Sequence, residues 1–492
     1  MQRHDVNPDR INLFDAVKAL AFMGDLSMGQ PVDHSARVAW LASSLARAMA
    51  LDAESCADVV QVALLRWSGC TGNASFVAET IDDDVDGRAA MLALQLEKIN
   101  VLVPPGLLAS RVSEISSIHC EVSSLIANIL GLRAPVAASL ACAFEAWDGT
   151  GQPNGLQGDE IPQSALLVSL AGDLEVLARV YGLPQALALI KDRSGKSYPH
   201  DWVTMLCEHA QGWINALEED AALMAPMAHV AGREQAPQTD LMLVGHVIDL
   251  KLPWLTGHSR AVAQVSDSIT AALGLPEAAR SRLRRAALIH GLGRVAIPNA
   301  IWERRGPLTA ADWEKVRLSP YWTARAATQI KGLQDEAELA SQVHERLDGS
   351  GYFRGTRHAN TSLECRVLPV ATTWVALQAR RPWRDALPVQ AATDHLQRQV
   401  ALGRFDQRVV DAAVDLAATG PNSSRRGAAA LLSAREIDVL RCISHGESNK
   451  EAAHHLGISP STVRTHVESV FRKLDCKSRA AATLKASLTG LL

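Results

Sequence analysis

At 492 residues the chain is long enough for about three domains of roughly 150 residues each. Its 48% hydrophobic content excludes a disordered chain, and its eight cysteines show no CxxC pair, which excludes a zinc ribbon or a disulfide scaffold. Charge is uneven: residues 419–492 hold eleven Lys and Arg against six Asp and Glu, so this tail is +5 and residues 1–418 carry −9 of the net −4. A basic tail fits a polyanionic partner, whereas the acidic remainder is not expected to bind DNA by itself.

No apolar run reaches the ~18–20 residues of a membrane helix, and the N-terminal residues lead into no signal-type apolar core. A cytoplasmic protein with reduced thiols is expected, with no membrane partner. Ala, Leu, Arg and Gln dominate, and apolar residues recur at three and four, so the expected fold class is all-α. Polar, Pro-containing stretches divide the chain into a first domain at 1–225, a linker at 226–240, a second domain at 241–418, a linker at 419–430 and a last domain at 431–492.

The first two domains read as tandem copies of one unit. His34-Ser35-Ala36-Arg37-Val38-Ala39 echoes His258-Ser259-Arg260-Ala261-Val262-Ala263 at an offset of 224, and Asp25 and Asp249 share it. Further on, Asp148-Gly149-Thr150-Gly151 echoes Asp348-Gly349-Ser350-Gly351 at an offset of 200, so the first copy holds 24 extra residues between Arg66 and His119. Both glycine loops suit a turn that needs glycine dihedrals, and Asp348, Gly349, Gly351 and Tyr352 are candidates for a ligand-contacting loop. Asp82, Asp84, Asp86 and Gly87 are spaced like a calcium loop, but position twelve is Ala93 where a bidentate Glu is required, so an acidic solvated loop is expected.

In the last domain three helix starts are visible. Ser433 with Glu436, and Ser448 with Glu451, have capping-box spacing. Ser459 precedes Pro460, the residue favoured at a first helical position. A tight turn at 455–459 with Gly457 at its corner makes the second and third helices a helix-turn-helix. Val463, Val467, Val470, Phe471 and Leu474 form an apolar stripe on the third helix. The opposite face offers Ser461, Thr462, Arg464, Thr465, Glu468, Arg472 and Lys473, and Asn449 and Lys450 open the second helix. Such a face suits a major groove, where Arg reads guanine bidentately. The expected partner is double-stranded DNA.

The segment is similar to the LuxR-type DNA-binding domain. Leu432-Ser433-Ala434-Arg435-Glu436, Ser448-Asn449-Lys450-Glu451, Leu456-Gly457-Ile458-Ser459, Thr462-Val463-Arg464-Thr465-His466-Val467, Arg472-Lys473-Leu474 and Ser478-Arg479-Ala480 carry that resemblance. It implies four helices, the third in the major groove and the fourth commonly a dimer contact, hence a homodimer.

The second copy, with Thr256-Gly257-His258-Ser259, Leu288-Ile289-His290-Gly291-Leu292-Gly293-Arg294 and Val343-His344-Glu345-Arg346-Leu347-Asp348-Gly349-Ser350-Gly351-Tyr352, resembles the HD-GYP domain. This is a subclass of the HD metal-dependent phosphohydrolases, acting on cyclic di-GMP. The resemblance implies two or three metals held by His and Asp, ionising a water that attacks phosphorus. Of the implied ligands only His258, His290 and His344 remain. Gly291 stands for the Asp of the His-Asp pair, Ser319 for a later His, Val343 for the first of a His pair, and Thr372 for the late Asp. Arg294 stands for a lysine and Phe353 for the GYP proline. In the first copy only His34 and His119 remain, and Arg66, Trp67, Ala143, Phe144 and Gly172 occupy the other positions. Asp173, one residue beyond, is a conceivable substitute.

With no carboxylate ligand surviving, no catalytic residue is expected. The three histidines are vestigial candidates for a single divalent metal at most. The expected function is a DNA-binding transcriptional regulator whose degenerate HD-GYP-like body senses a cyclic dinucleotide or protein effector, or dimerises. Its alternatives are a cyclic di-GMP phosphodiesterase fused to a DNA-binding domain and a protein-interaction scaffold.

Overall fold

The structure is a computed structural model that describes residues 9–95, 97–98, 106–219, 237–357, 361–418 and 431–492. The expected linker residues 226–236 and 419–430 lie outside the described residues. The fold is all-α, as the periodicity predicts, with one short pairing of β1 (Arg10–Asn12) and β2 (Gln238–Asp240). No described helix is long and apolar enough to cross a membrane.

The chain divides into one unit at Asn12–Pro237 and another that joins residues up to Ile11 to Gln238–Leu492. Two contacts cross the expected boundaries. Residues 9–11 belong with the second copy: the Leu241 amide donates to the Asp9 carbonyl at 2.9 Å, and Arg284 pairs with the Asp9 carboxylate at 3.1 Å. The last domain packs on the second copy.

In the first unit, Asn12 caps α1 (Leu13–Ser27) through the Phe14 amide. Then come α2 (His34–Ala48), α3 (Ala53–Leu65), α4 (Leu107–Ile129) and α5 (Gln163–Tyr181), with α2 packed against both α3 and α5. Leu20, Leu41, Leu45, Leu64, Leu65, Ile126 and Leu167 fill the core. In the second unit, Asp240 caps α6 (Leu241–Asp249). There follow α7 (His258–Ala272), α8 (Glu277–Ile289), α9 (Ser319–Ala327), α10 (Leu363–Gln378) and α11 (Gln407–Ala418).

The repeat visible in sequence is one of architecture. α6, α7 and α8 correspond to α1, α2 and α3, and α10 to α5. Buried Asp25 accepts from the Ser35 amide and hydroxyl, and buried Asp249 from those of Ser259, so each ties the start of the next helix to the one before. The acidic stretch at 82–87 is a helix start: the Asp83 carboxylate accepts from the Val85 and Asp86 amides, and a helix begins at Asp86.

The last domain contains α12 (Ala434–Ser444), α13 (Asn449–Leu456), α14 (Pro460–Leu474) and α15 (Arg479–Leu488). Both capping boxes form, at Ser433/Glu436 and Ser448/Glu451. Ser459 caps α14, and Gly457 takes φ +65° at the corner, where a side chain would be strained. Val439, Leu440, Ile443, Val463, Val470 and Leu474 form the core of this bundle. The domain docks on the second copy. Thr256 donates to the Ser444 carbonyl at 2.7 Å, Arg260 to the Ser487 carbonyl at 3.3 Å, and α15 lies against α6.

Candidate metal centres and nucleic-acid interface

In the second copy α7 and α8 bring His258 and His290 together, with ring centres 5.5 Å apart. His344 stacks on Tyr352 at 4.8 Å. His258 and His290 are buried, and His344 is half-buried. Burial, with Arg294 beside it, pushes His290 down to about 3. Burial first and neighbouring cations second hold His258 and His344 well below the ordinary imidazole range. Neutral imidazoles are the form a metal requires.

Their lone pairs are not all available. His290 donates from Nδ1 to the Ala287 carbonyl at 2.6 Å, and its Nε2 accepts from the Arg294 guanidinium at 2.9 Å. Arg294 is itself 8% exposed. A Cβ built at Gly291 would lie 2.5 Å from Arg294 Nη1. The guanidinium therefore stands where a side chain at 291 would begin, and Arg294 and an aspartate at 291 compete for one space. Asp249, pushed up to about 7 by burial against the pull of Ser259 and Arg294, does not reach the histidines as a ligand set. The residues present do not fit a two-metal centre. Arg381 adds a second enclosed guanidinium, held down to about 9 chiefly by burial and donating to the Trp254 carbonyl at 3.0 Å.

The first copy reaches a similar outcome by other residues. Arg66 donates to Ser169 Oγ at 3.1 Å and to the Val168 carbonyl at 3.4 Å, and lies 4.5 Å from the Trp67 ring centre. A Cβ at Gly172 would lie 2.7 Å from Arg66 Nη1. His119 donates from Nε2 to the Arg66 carbonyl at 2.7 Å and is packed against Trp67 and Phe144. Burial pushes it down to about 3. His34 bonds Glu175 at 2.6 Å. Burial opposes ionisation of Glu175, but His34 and Arg179 outweigh it and hold the carboxyl down at about 2. Asp173 is no substitute ligand: Arg193 and the Tyr198 hydroxyl occupy it.

The glycine loops are built to the same plan in both copies. The Asp348 carboxylate accepts from the Ser350 amide and hydroxyl, and Asp148 accepts likewise from Thr150. Gly349 and Gly149 take φ of +81° and +84°. A Cβ at Gly351 would lie 2.4 Å from the Arg346 amide nitrogen. Sequence reading missed the buried glutamates behind these loops. Glu345 accepts from the Arg354 and Thr356 amides, and Glu145 from those of Asn154 and Leu156. Their shared offset of 200 was the available signal.

On α14 the expected face is outward. Ser461, Thr462, Arg464, Thr465, Glu468, Arg472 and Lys473 are all exposed. Arg464 pairs with Glu468 at 3.0 Å, an exposed pair that a stronger acceptor can displace. Two residues have a structural share that the sequence did not reveal. Lys473 Nζ lies 2.7 Å from Glu436 Oε2, and Ser469 donates to the other oxygen, so α14 is fastened to the capping box of α12. Hydrogen bonds, first from Lys473, hold Glu436 down at about 2. Asn449 accepts from Arg479 at 2.9 Å, while Lys450 is exposed.

Residues 243–409 match the HD domain family, and residues 430–486 match the bacterial regulatory proteins of the luxR family. The chain thus joins an HD domain to a C-terminal LuxR-type helix-turn-helix. It is similar to the 3'3'-cGAMP-specific phosphodiesterase 3 of Vibrio cholerae, 27% identical over 398 residues that cover 75% of this chain and 86% of that protein. It is also similar to the cyclic di-GMP phosphodiesterase response regulator RpfG of Xanthomonas campestris, 30% identical over 200 residues that cover 40% of this chain and 52% of that protein. The last domain is 46% identical over 61 residues to the HTH-type transcriptional activator RamA of Corynebacterium glutamicum, covering 12% of this chain and 22% of that protein. A crystal structure of a cyclic GMP-AMP specific phosphodiesterase of V. cholerae shares the fold, with a TM-score of 0.58 at 23% identity over 84% of this chain and 99% of that one.

Proposed function

We propose that this chain is a cytoplasmic, homodimeric DNA-binding transcriptional regulator whose tandem HD-like body senses a cyclic dinucleotide without hydrolysing it. The DNA-binding part rests on the LuxR-type domain and its exposed, Arg-bearing α14. The non-hydrolytic part is carried by one observation: the Arg294 guanidinium donates to His290 Nε2, with glycine at 291. Metal-assisted hydrolysis needs ions that ionise water and neutralise phosphate charge. A resident guanidinium supplies charge but no bound water. The class of effector rests on the likeness to cyclic dinucleotide phosphodiesterases.

A route from body to DNA is available at the start of α7. His258 belongs to the central cluster, while Thr256 and Arg260, two residues to either side, bond the last domain. A ligand that moves this turn moves the dock as well. Arg464→Ala is expected to lose roughly 1–3 kcal/mol of discrimination between sites, as for a bidentate base contact. Lys450→Ala weakens all sequences alike and flattens the salt dependence.

The test is calorimetry of 3'3'-cGAMP and of cyclic di-GMP into the full-length protein with Mn²⁺, followed by chromatography of the nucleotide. Saturable heat with intact nucleotide is the expected result. Linear nucleotides would instead support the second reading, a phosphodiesterase fused to a DNA-binding domain, which the 398-residue likeness favours. No heat with either nucleotide would overturn cyclic dinucleotide sensing and leave a protein effector.

A further inference from the structure

Away from the HD-like centres, donor atoms of three different kinds converge inside the last domain. Cys442 near the end of α12, Glu447 in the following turn and His455 near the end of α13 place a sulfur, a carboxylate oxygen and a ring nitrogen within 4.8 Å of one another. His455 Nδ1 lies 3.7 Å from Cys442 Sγ and 3.1 Å from Glu447 Oε1. Ligands around a tetrahedral ion with bonds of about 2.0–2.3 Å stand roughly 3.3–3.7 Å apart. The two distances from His455 already lie near that range, and Cys442 and Glu447, within 4.8 Å of each other, would close on the ion.

A second observation points the same way. The Glu447 side chain is 9% exposed, and its Oε2 is enclosed without an N–H or O–H donor. The Cys442 thiol is hydrogen-bonded to this carboxylate, so an ion that takes the place of the thiol proton would sit between the two groups. Cys442 is buried on the same side, while His455 is exposed, which gives an ion a path from solvent.

We propose that Cys442, Glu447 and His455 bind one divalent ion of the zinc class within the helix-turn-helix domain. Thiolate, imidazole and carboxylate together form a borderline donor set, which favours Zn²⁺ or Co²⁺ over Mg²⁺ and Ca²⁺. Binding releases the Cys442 proton to solvent, and the fourth position is left to water. The ion clamps α12 to α13. It also draws on Glu447 Oε1, the oxygen that pairs with Arg380 of the second HD-like domain at 3.5 Å. The site thus lies on the dock between body and DNA-binding domain.

The experiment is a titration of the full-length protein with Co²⁺ under reducing conditions, read by absorption. One thiolate-to-cobalt charge-transfer band per chain is expected. Cys442→Ser abolishes it, and His455→Ala weakens cobalt binding at least tenfold. His455 is exposed, so that variant keeps its fold even if Cys442→Ser does not. In His290→Ala the band is unchanged, which separates this site from the HD-like centre. Absence of the band in the native protein would overturn the proposal. So would a band that survives Cys442→Ser, since the Cys70 thiol, 3.7 Å from His119, would then be its source.

Discussion

The two HD-like copies keep the same scaffold and fill its centre differently. The second copy retains three imidazoles and places Arg294 against one of them. The first copy retains two, separates them, and surrounds His119 with Trp67, Phe144 and the carbonyl of Arg66. In each copy a glycine has replaced a position where the resemblance implies a carboxylate, and a guanidinium lies where its side chain would start. The pairs differ: Gly172 with Arg66, and Gly291 with Arg294. Space and positive charge at the centre are retained while the ligand chemistry changes. The first copy is packed more completely. Each guanidinium keeps one buried nitrogen without an acceptor, Nε of Arg66 and Nη1 of Arg294, but Arg66 has two acceptors and an indole against it, whereas Arg294 has a single side-chain acceptor.

The largest expected effect follows from that difference. Arg66→Ala removes two hydrogen bonds and the contact with the indole and leaves a cavity beside Trp67, at a cost of about 3 kcal/mol. Arg294→Ala is expected to cost clearly less, and Arg294→Met to be near neutral, because removing a poorly paired buried charge offsets the lost hydrogen bond. Denaturant melts of the three variants test this. Equal costs for the two alanine variants would remove the distinction between a packed centre and an open one.

Acid should separate the two units next. A histidine whose folded value lies below its unfolded value stabilises the fold above about 6.5 and loses that contribution as pH falls. The second unit has His290 at about 3 and His246 at about 4, with His258 and His344 also depressed; the first has His119 at about 3. Asp25 and Asp249, both raised to about 7, work in the opposite sense, adding stability as pH falls, but they do so equally in the two units. Between pH 7.5 and 5 each such histidine should cost up to about 2 kcal/mol, at 1.36 kcal/mol per pK unit, and the second unit has three more of them than the first. Amide exchange at the two pH values would show it as a greater loss of protection in α8 than in α3.

Much of this was legible in the sequence, and the remainder follows a pattern. The last domain could be read to the residue because its signals are local: Ser433 with Glu436, Ser448 with Glu451, and Gly457 before Ser459 lie within one or two helical turns. The tandem repeat was legible from shared offsets. The contact of Arg294 with Gly291 joins residues only three apart, yet it was hidden, because a sequence does not say which way a buried arginine turns. Arg66 with Gly172, Lys473 with Glu436 and residues 9–11 with 238–241 were hidden by separation along the chain. The docking of the last domain on the second copy was hidden for the same reason, as it rests on Thr256, Arg260 and Arg380.

Reversing the substitution is the next test of the comparison. Gly291→Asp with Arg294→Lys replaces the guanidinium by a carboxylate beside His258, His290 and His344. Mn²⁺ at ten times its dissociation constant would then raise stability by about 1.4 kcal/mol, read as a metal-dependent melting shift. The same ion should leave the native protein unshifted at this centre. In the first copy Gly172→Asp should gain no metal response, because Trp67 and Phe144 occupy the space and His34 is bonded to Glu175. A metal response there would mean that its aromatic packing is more easily displaced than the geometry indicates.

A further effect should be the same in both copies, and it identifies what the copies still share. Glu145 and Glu345 are buried at 6% and 5% exposure, and each accepts two backbone amides of its glycine loop with both carboxylate oxygens. Glutamine keeps the shape but turns one acceptor into a donor that faces an N–H, so one bond is lost and an amide is stranded. Glu145→Gln and Glu345→Gln should each cost about 1–2 kcal/mol. Equal values would mean that the glutamate and its Asp-Gly turn form a stabilising module independent of the centre's chemistry, and so survive in a copy whose centre is packed with aromatics. A markedly larger cost at Glu345 would mean that the second loop supports more than itself. The group that bears on that centre from the loop is Tyr352, stacked on His344.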